Sequence, residues 1–227
     1  MSLKLQLLLR AVVSVFLMVA GLFVSAGSVK FWLGWAWVAV FFIPYLAFTS
    51  YLYKYDPQLF ERRMRVKEKT GEQNLIQVAG PLIFVASLLV CGLDHRFGWS
   101  RTLLGLPVPL RVTLVSQAVV LSGVLFMIWA MKVNSFAGRT IRVEAGQQVI
   151  SSGPYRLVRH PLYLGAIVMA LASPLALGSW VALPGFALLI PVVAFRLLGE
   201  ERLLRHGLPG YSEYCLRTRF RLIPLIW

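Results

Sequence analysis

Long, unbroken runs of apolar residues constrain this 227-residue chain more than any other feature of its sequence. Hydrophobic residues make up 58% of the chain and charged residues only 14%, whereas soluble domains carry about a quarter charged residues. Runs of about 18 or more apolar residues are typical of helices that cross a bilayer. The sequence therefore predicts an all-α fold, a polytopic transmembrane helical bundle.

Six apolar stretches are candidates for membrane spans, and we predict them at residues 7–27, 31–53, 75–93, 110–132, 161–178 and 181–198. The last two lie close together and predict a helical hairpin that turns at Gly178 and Ser179. The first stretch resembles a signal peptide, because Lys4 and Arg10 precede its apolar part. It continues after a short turn into a second apolar run, so we interpret it as a span that is retained.

The basic residues predict how the spans are oriented. The formal net charge is +14, but Lys and Arg lie at the ends of apolar runs, where they can contact the headgroups of membrane lipids. We therefore expect no nucleic acid as a partner. With six spans, all but four of the 23 Lys and Arg residues fall on the side of the two termini. The positive-inside rule makes that side, with both termini, cytoplasmic.

Two regions follow from this pattern. Residues 1–130 hold about four spans and a basic cytoplasmic loop at 54–74, and residues 131–227 hold the hairpin 161–198 and a basic tail. The loop carries both signs of charge and is predicted to be partly helical, either as a solvated linker or as a lid over a substrate site. The two cysteines of the chain show no disulfide or zinc spacing, so no metal site is expected.

The candidate chemistry lies in the C-terminal half of the chain. The segment 132–165 interrupts the apolar pattern with polar residues and a Gly-Pro turn signal at 153–154. A new apolar helix then begins at Pro161, where a missing N–H costs nothing. His160 is therefore predicted to lie at a helix N-terminus near the membrane surface, where N–H groups give a partial positive charge.

A second polar cluster follows the last apolar run. Arg196 and Glu200 are four residues apart and share a helix face, and Glu201 comes directly after them. A basic tail with Tyr211 and Tyr214 follows. Taken singly, each of these residues has a structural explanation, either as an ion-pair partner or as a tyrosine at the membrane boundary. The residues alone indicate only a polar pocket that opens to the cytoplasm.

The order of these motifs resembles the isoprenylcysteine carboxyl methyltransferase family and the wider group of membrane methyltransferases that includes phospholipid N-methyltransferases. The resemblance covers about residues 130–221, through G-P-Y-R-L-V-R-H-P-L-Y-L-G, an apolar hairpin, R-x-x-x-E-E and Y-x-x-Y. It implies a bound S-adenosyl-L-methionine, held in this region without a Rossmann domain. It places the cofactor contacts at Gln147, Gln148, Val149, Ile150, Tyr155, His160, Pro161, Leu162, Tyr163 and Glu200.

The resemblance also implies roles on the acceptor side. Its arginine near the acceptor carboxylate falls on Arg196. A carboxylate is already ionised at neutral pH and needs only orienting, whereas an amine must lose a proton, for which Glu201 or a tyrosine is the candidate base. The chain departs from the family pattern at Gln147 and Gln148 and at residues 206–210.

Three functions stay open at this point. The first is carboxyl O-methylation of an isoprenylcysteine-like or other lipophilic acid drawn from the bilayer. The second is methylation of a phospholipid amine or a small thiol. The third is a transporter or a non-catalytic membrane protein, and the lack of charged residues in the middle of the spans argues against it.

Overall fold

The computed structural model describes residues 3–65 and 71–227, with side chains except at positions 3–11 and 14. Over those residues the backbone forms helices and turns and no strand, which confirms the predicted all-α class. The ten helices of the described residues are α1 Leu3–Ala26, α2 Trp32–Tyr55, α3 Pro57–Met64, α4 Gly71–Phe97, α5 Trp99–Thr102, α6 Leu110–Val133, α7 Pro161–Ala176, α8 Leu183–Ala187, α9 Leu189–Gly207 and α10 Tyr211–Arg217.

Four stretches of the described residues are long and apolar enough to cross a membrane: α2, α4, α6 and the stretch Leu183–Gly207. These four stretches confirm the prediction of a helical bundle with several membrane spans. Helix α7, predicted as a span over 161–178, has only 16 residues. At 1.5 Å per residue it is about 24 Å long, shorter than the roughly 30 Å of a hydrocarbon core.

Helix α9 extends beyond its predicted end at residue 198. It continues through the charged residues to Gly207 and ends where Leu208 takes an extended backbone conformation. Helices tolerate charges at a membrane boundary, where the side chains reach water. As a result, Arg196, Glu200 and Glu201 lie on one continuous helix.

The segment 54–74 is partly helical, as predicted. Helix α3 begins with Pro57, which fits the first turn because its missing N–H would have no partner there. The Asp56 carboxylate caps the helix by accepting a hydrogen bond of 3.0 Å from the Leu59 N–H. Residues 66–70 of this segment lie outside the described residues.

The core of the bundle consists of apolar side chains from α1, α2, α4, α6, α7 and α8. Buried polar side chains also connect the helices, since polar groups in lipid must be paired within the protein. The Trp37 indole N–H donates to the Ser173 hydroxyl at 3.0 Å. The Gln117 amide donates to the carbonyls of Leu33 at 3.2 Å and Ala176 at 3.1 Å. These bonds fix α2 and α6 against α7.

A buried carboxylate connects three segments at the end of the bundle where α4 and α7 finish. Asp94 accepts hydrogen bonds from the backbone N–H of Ser100 at 2.7 Å and from the hydroxyls of Ser100 and Ser179. The predicted hairpin turn lies here, because α7 ends at Ala176 and Gly178 adopts φ +77°. This end of the bundle is therefore held by a buried polar network.

Helices α6 and α7 cross at a pair of glycines. A Cβ atom at Gly123 would lie 2.9 Å from the Gly165 carbonyl oxygen and 2.9 Å from Met169 Cβ. Small residues at membrane helix crossings allow such close backbone approach. This crossing positions the start of α7, on which several predicted site residues lie.

Gly123→Ala is expected to destabilise the protein by about 1–3 kcal/mol, because the added methyl group overpacks the crossing. Thermal unfolding in detergent measures the effect. Gly80→Ala is the matched control, since its Cβ would meet nothing nearer than Val192 Cγ1 at 3.6 Å. Equal melting temperatures for the two variants would contradict the close crossing.

Candidate functional site

A polar cavity opens beside the N-terminus of α7. Its walls come from the segment 134–142, from residues 147–150, from the start of α7, and from α9 and α10. The empty space between these walls, counted out to the open mouth, is about 850 Å³. Residues that are far apart in the sequence therefore enclose one site.

Almost all of the predicted cofactor residues line this cavity. They are Gln147, Gln148, Val149, Ile150, Tyr155, His160, Leu162, Tyr163 and Glu200, together with the predicted acceptor residue Arg196. Pro161 is not among the lining residues, and instead it is fully buried as the first residue of α7. The roles that the resemblance gives to these residues stay predictions, but their placement around one cavity is an observation.

Part of the cavity wall is charged. The Tyr163 hydroxyl donates a hydrogen bond of 2.7 Å to the Glu200 carboxylate, which connects α7 to α9. The Arg196 guanidinium, one turn before Glu200, donates to the Arg139 carbonyl at 2.6 Å. A carboxylate and a guanidinium thus line the same cavity, where the first can bind a cationic group and the second an anionic group.

Another part of the cavity wall is apolar and aromatic. Leu204, Leu208, Tyr211 and Tyr214 form a buried cluster, against which Val149 packs. Burial of these side chains orders the segment that connects α9 to α10. This part of the wall suits a flat, weakly polar group.

Glu201 was predicted as a catalytic base, and its side chain lies behind the cavity wall. It is only 4% exposed, does not line the cavity, and lies within 3.2 Å of Arg159 Nε and 3.0 Å of Arg221 Nε. The His160 Nε2 atom lies 3.4 Å from the same carboxylate. In this position Glu201 holds the surrounding segments together, and its role as a base stays a prediction.

The tail beyond α10 completes this arrangement. The backbone N–H groups of Arg159 and His160 donate to the carbonyls of Phe220 at 2.9 Å and Arg221 at 3.0 Å. The Arg221 side chain reaches Glu201 on α9. The tail therefore fixes the start of α7, where His160 lies at the N-cap position.

The tyrosines outside the spans stay protonated at neutral pH. Burial raises the pKa of Tyr155 to about 12, despite an opposing hydrogen bond with Asn134. Burial also raises the pKa of Tyr211 and of Tyr214. These hydroxyls can donate or accept hydrogen bonds, but they are poor bases.

Two groups of lining residues were not predicted. One is the segment 134–142, and the other is formed by Leu203, Leu204, Leu208, Tyr211 and Tyr214. The polar break in the apolar pattern was a signal for the first group. The Y-x-x-Y spacing was a signal for the tyrosines, although nothing in it separates a wall residue from a membrane-boundary residue.

The sequence of this region matches a known protein family. Residues 112–208 match the family described as phospholipid methyltransferase, and most of the residues that line the cavity fall within that range. The match agrees with the resemblance predicted from the order of the motifs.

Three curated relatives share parts of the chain. The Delta(14)-sterol reductase of Mus musculus is 37% identical over 97 residues, which are 41% of this chain and 23% of the reductase. The cobalt-zinc-cadmium resistance protein CzcN of Cupriavidus metallidurans is 40% identical over 75 residues, 31% of this chain and 33% of that protein. The nickel-cobalt-cadmium resistance protein NccN of Alcaligenes xylosoxydans xylosoxydans is 29% identical over 111 residues, 47% of this chain and 50% of that protein. The chain thus spans half or less of the relatives it matches.

Glu201→Ala is expected to destabilise the protein by about 3–5 kcal/mol, because it leaves buried arginines without their carboxylate. Thermal unfolding in detergent measures this loss. Glu213→Ala on α10 is the control, because Glu213 is exposed. If the two variants unfold at the same temperature, the ion pairs around Glu201 do not hold the site together.

Proposed function

We propose that this chain, whose residues 112–208 carry a domain of the phospholipid methyltransferase family, is an integral-membrane methyltransferase that uses S-adenosyl-L-methionine. The observation that carries the proposal is the gathering of the predicted cofactor residues, all except Pro161, around one cavity. Those residues come from four separate segments of the chain. Their convergence supports a common ligand.

The chemistry of the cavity fits this cofactor. The cavity offers the Glu200 carboxylate for the amino-acid group of the cofactor, and it offers flat aromatic and leucine side chains for a nucleobase. Ionisable residues at the end of a membrane bundle are candidates for a functional site. The residues that would hold the amino-acid end are Glu200 and Tyr163.

The bound cofactor supplies a methyl group on positively charged sulfur, which an incoming nucleophile displaces while the sulfur keeps the bonding electron pair. The protein must exclude water and align the acceptor with the methyl group, and alignment of this kind supplies roughly 7–11 kcal/mol. The tail contacts to Arg159 and His160 hold one wall in place. The hydrogen bond between Tyr163 and Glu200 holds α7 and α9 together.

The acceptor that fits best is a carboxylate on an isoprenylcysteine-like or other lipophilic acid. Arg196 can orient it with a bidentate pair of hydrogen bonds, and no proton has to be removed. An amine acceptor needs a base, but the tyrosines of the wall stay protonated. The Glu201 carboxylate is held by arginines. A phospholipid amine or a small thiol is the alternative acceptor.

The place of the site supports an acceptor taken from the bilayer. The cavity lies at the ends of α7 and α9, next to apolar membrane helices. A site at an interface collects a water-soluble cofactor and a lipid-soluble acceptor together. The positive-inside rule supports a cytoplasmic side for this site and for both termini.

The similarity to a sterol reductase favours one second candidate. A reductase needs a hydride donor such as a nicotinamide dinucleotide. The same cavity would then hold that dinucleotide. Ligand binding separates the two candidates without any knowledge of the acceptor.

Purified wild-type protein in detergent is expected to unfold at a higher temperature with S-adenosylhomocysteine than without ligand, because binding to the native state stabilises it. NADPH at the same concentration is the matched comparison and should give no shift. A shift with NADPH alone would support the reductase and overturn the methyltransferase. No shift with either ligand would remove support from both.

Arg196→Lys is expected to lower transfer of a labelled methyl group to a prenylcysteine acid by about 10- to 100-fold, because lysine cannot form the bidentate pair. Arg202→Lys, an exposed position on the same helix, is the control. Base-labile label identifies an ester product. Equal transfer by both variants would contradict the role of Arg196.

A further inference from the structure

One polar atom in the cavity wall, the Tyr211 hydroxyl oxygen, has no hydrogen-bond partner among the described residues. Tyr211 is 4% exposed, lines the cavity, and its hydroxyl forms no hydrogen bond with any residue that the structure describes. A buried hydroxyl without a partner destabilises the protein that carries it. Such a group is expected where a ligand supplies the missing partner.

The neighbouring tyrosine shows the contrast. Tyr214 lies three residues further along α10, with its ring centroid 5.8 Å from that of Tyr211. Its hydroxyl donates to the Tyr155 carbonyl at 2.7 Å and so holds the 3₁₀ turn Gly153–Arg156 in the wall. The Tyr214 hydroxyl therefore joins α10 to the rest of the wall. The Tyr211 hydroxyl is available to a ligand in the cavity.

The position of Tyr211 follows from the backbone. Gly210 takes φ +81°, which favours glycine, and the chain turns there so that Tyr211 is the first residue of α10. Leu204 and Leu208 pack around its ring. A hydrogen bond at such a buried position is stronger than one in water. Burial keeps the hydroxyl protonated by raising its pKa.

We propose that Tyr211 is a cofactor-binding residue whose hydroxyl forms a hydrogen bond with the nucleoside part of S-adenosylmethionine. This inference rests on the proposed function. Glu200, which also lines the cavity, suits the amino-acid part, and the apolar cluster around Tyr211 suits the nucleoside part. An adenosine group offers ring-nitrogen acceptors, an amino donor and ribose hydroxyls, and a tyrosine hydroxyl can pair with any of them.

The test compares Tyr211→Phe with Tyr214→Phe in the full chain, purified in detergent. Calorimetric titration gives the affinities for S-adenosylhomocysteine and for adenosine, and thermal unfolding without ligand gives the stability. Tyr211→Phe should bind both ligands about five- to tenfold more weakly, with an unchanged or higher melting temperature, because it removes a hydroxyl that has no partner. Tyr214→Phe should show the reverse, a lower melting temperature and nearly wild-type affinity.

The outcomes separate this inference from the proposed function. If the wild-type protein binds neither ligand, the proposed function fails first and the inference fails with it. If the wild-type protein binds and Tyr211→Phe binds equally well, the inference is overturned and the proposed function stands. A loss of affinity for S-adenosylhomocysteine without a loss for adenosine would overturn the nucleoside assignment.

Discussion

The arrangement of the cavity depends on one buried carboxylate. Glu201 lies on α9 and pairs with Arg159 before α7 and with Arg221 in the tail, so three segments that are distant in sequence meet at one charge. A buried charge is costly unless its partners surround it, and this requirement makes the three segments dependent on one another. The neighbouring Glu200 faces the other way, into the cavity. Two adjacent glutamates thus have different places, since one holds the wall together and the other lines the cavity.

The residues alone predicted a polar pocket, and the resemblance to a known family supplied the individual residues that line it. His160, Pro161 and Tyr163 belong to one helix start, and Arg196 and Glu200 are one helical turn apart, so spacing fixes their relation within each segment. Spacing does not reveal which side of α9 faces the cavity. Glu200 and Glu201 are chemically identical in the sequence, and only the position of Arg159 and Arg221 distinguishes them. The same limit applies to Tyr211 and Tyr214, because the partner of Tyr214 is the Tyr155 carbonyl, in a turn about 60 residues earlier in the chain.

The membrane helices were predicted well where apolar length alone decides, as for α2, α4 and α6. The ends of the hairpin 161–198 were predicted less well. The last span was predicted to end at residue 198, whereas the helix that carries it, α9, continues to Gly207. The other span was predicted over 161–178, whereas α7 ends at Ala176 after 16 residues. Apolar length shows where a chain can lie in lipid, and backbone hydrogen bonding sets where the helix stops.

The Asp94 network has a mechanical consequence. It binds the end of α4 to the Ser100 segment and the hairpin turn through buried hydrogen bonds, and separating them would expose a carboxylate to lipid. At the opposite end the helices are joined through loops and a tail that water reaches. The turn between α7 and α8 is therefore anchored to the end of α4, on the side of the bundle away from the cavity. The position of α7 is thus fixed twice, by Asp94 at its end and by the tail at its start.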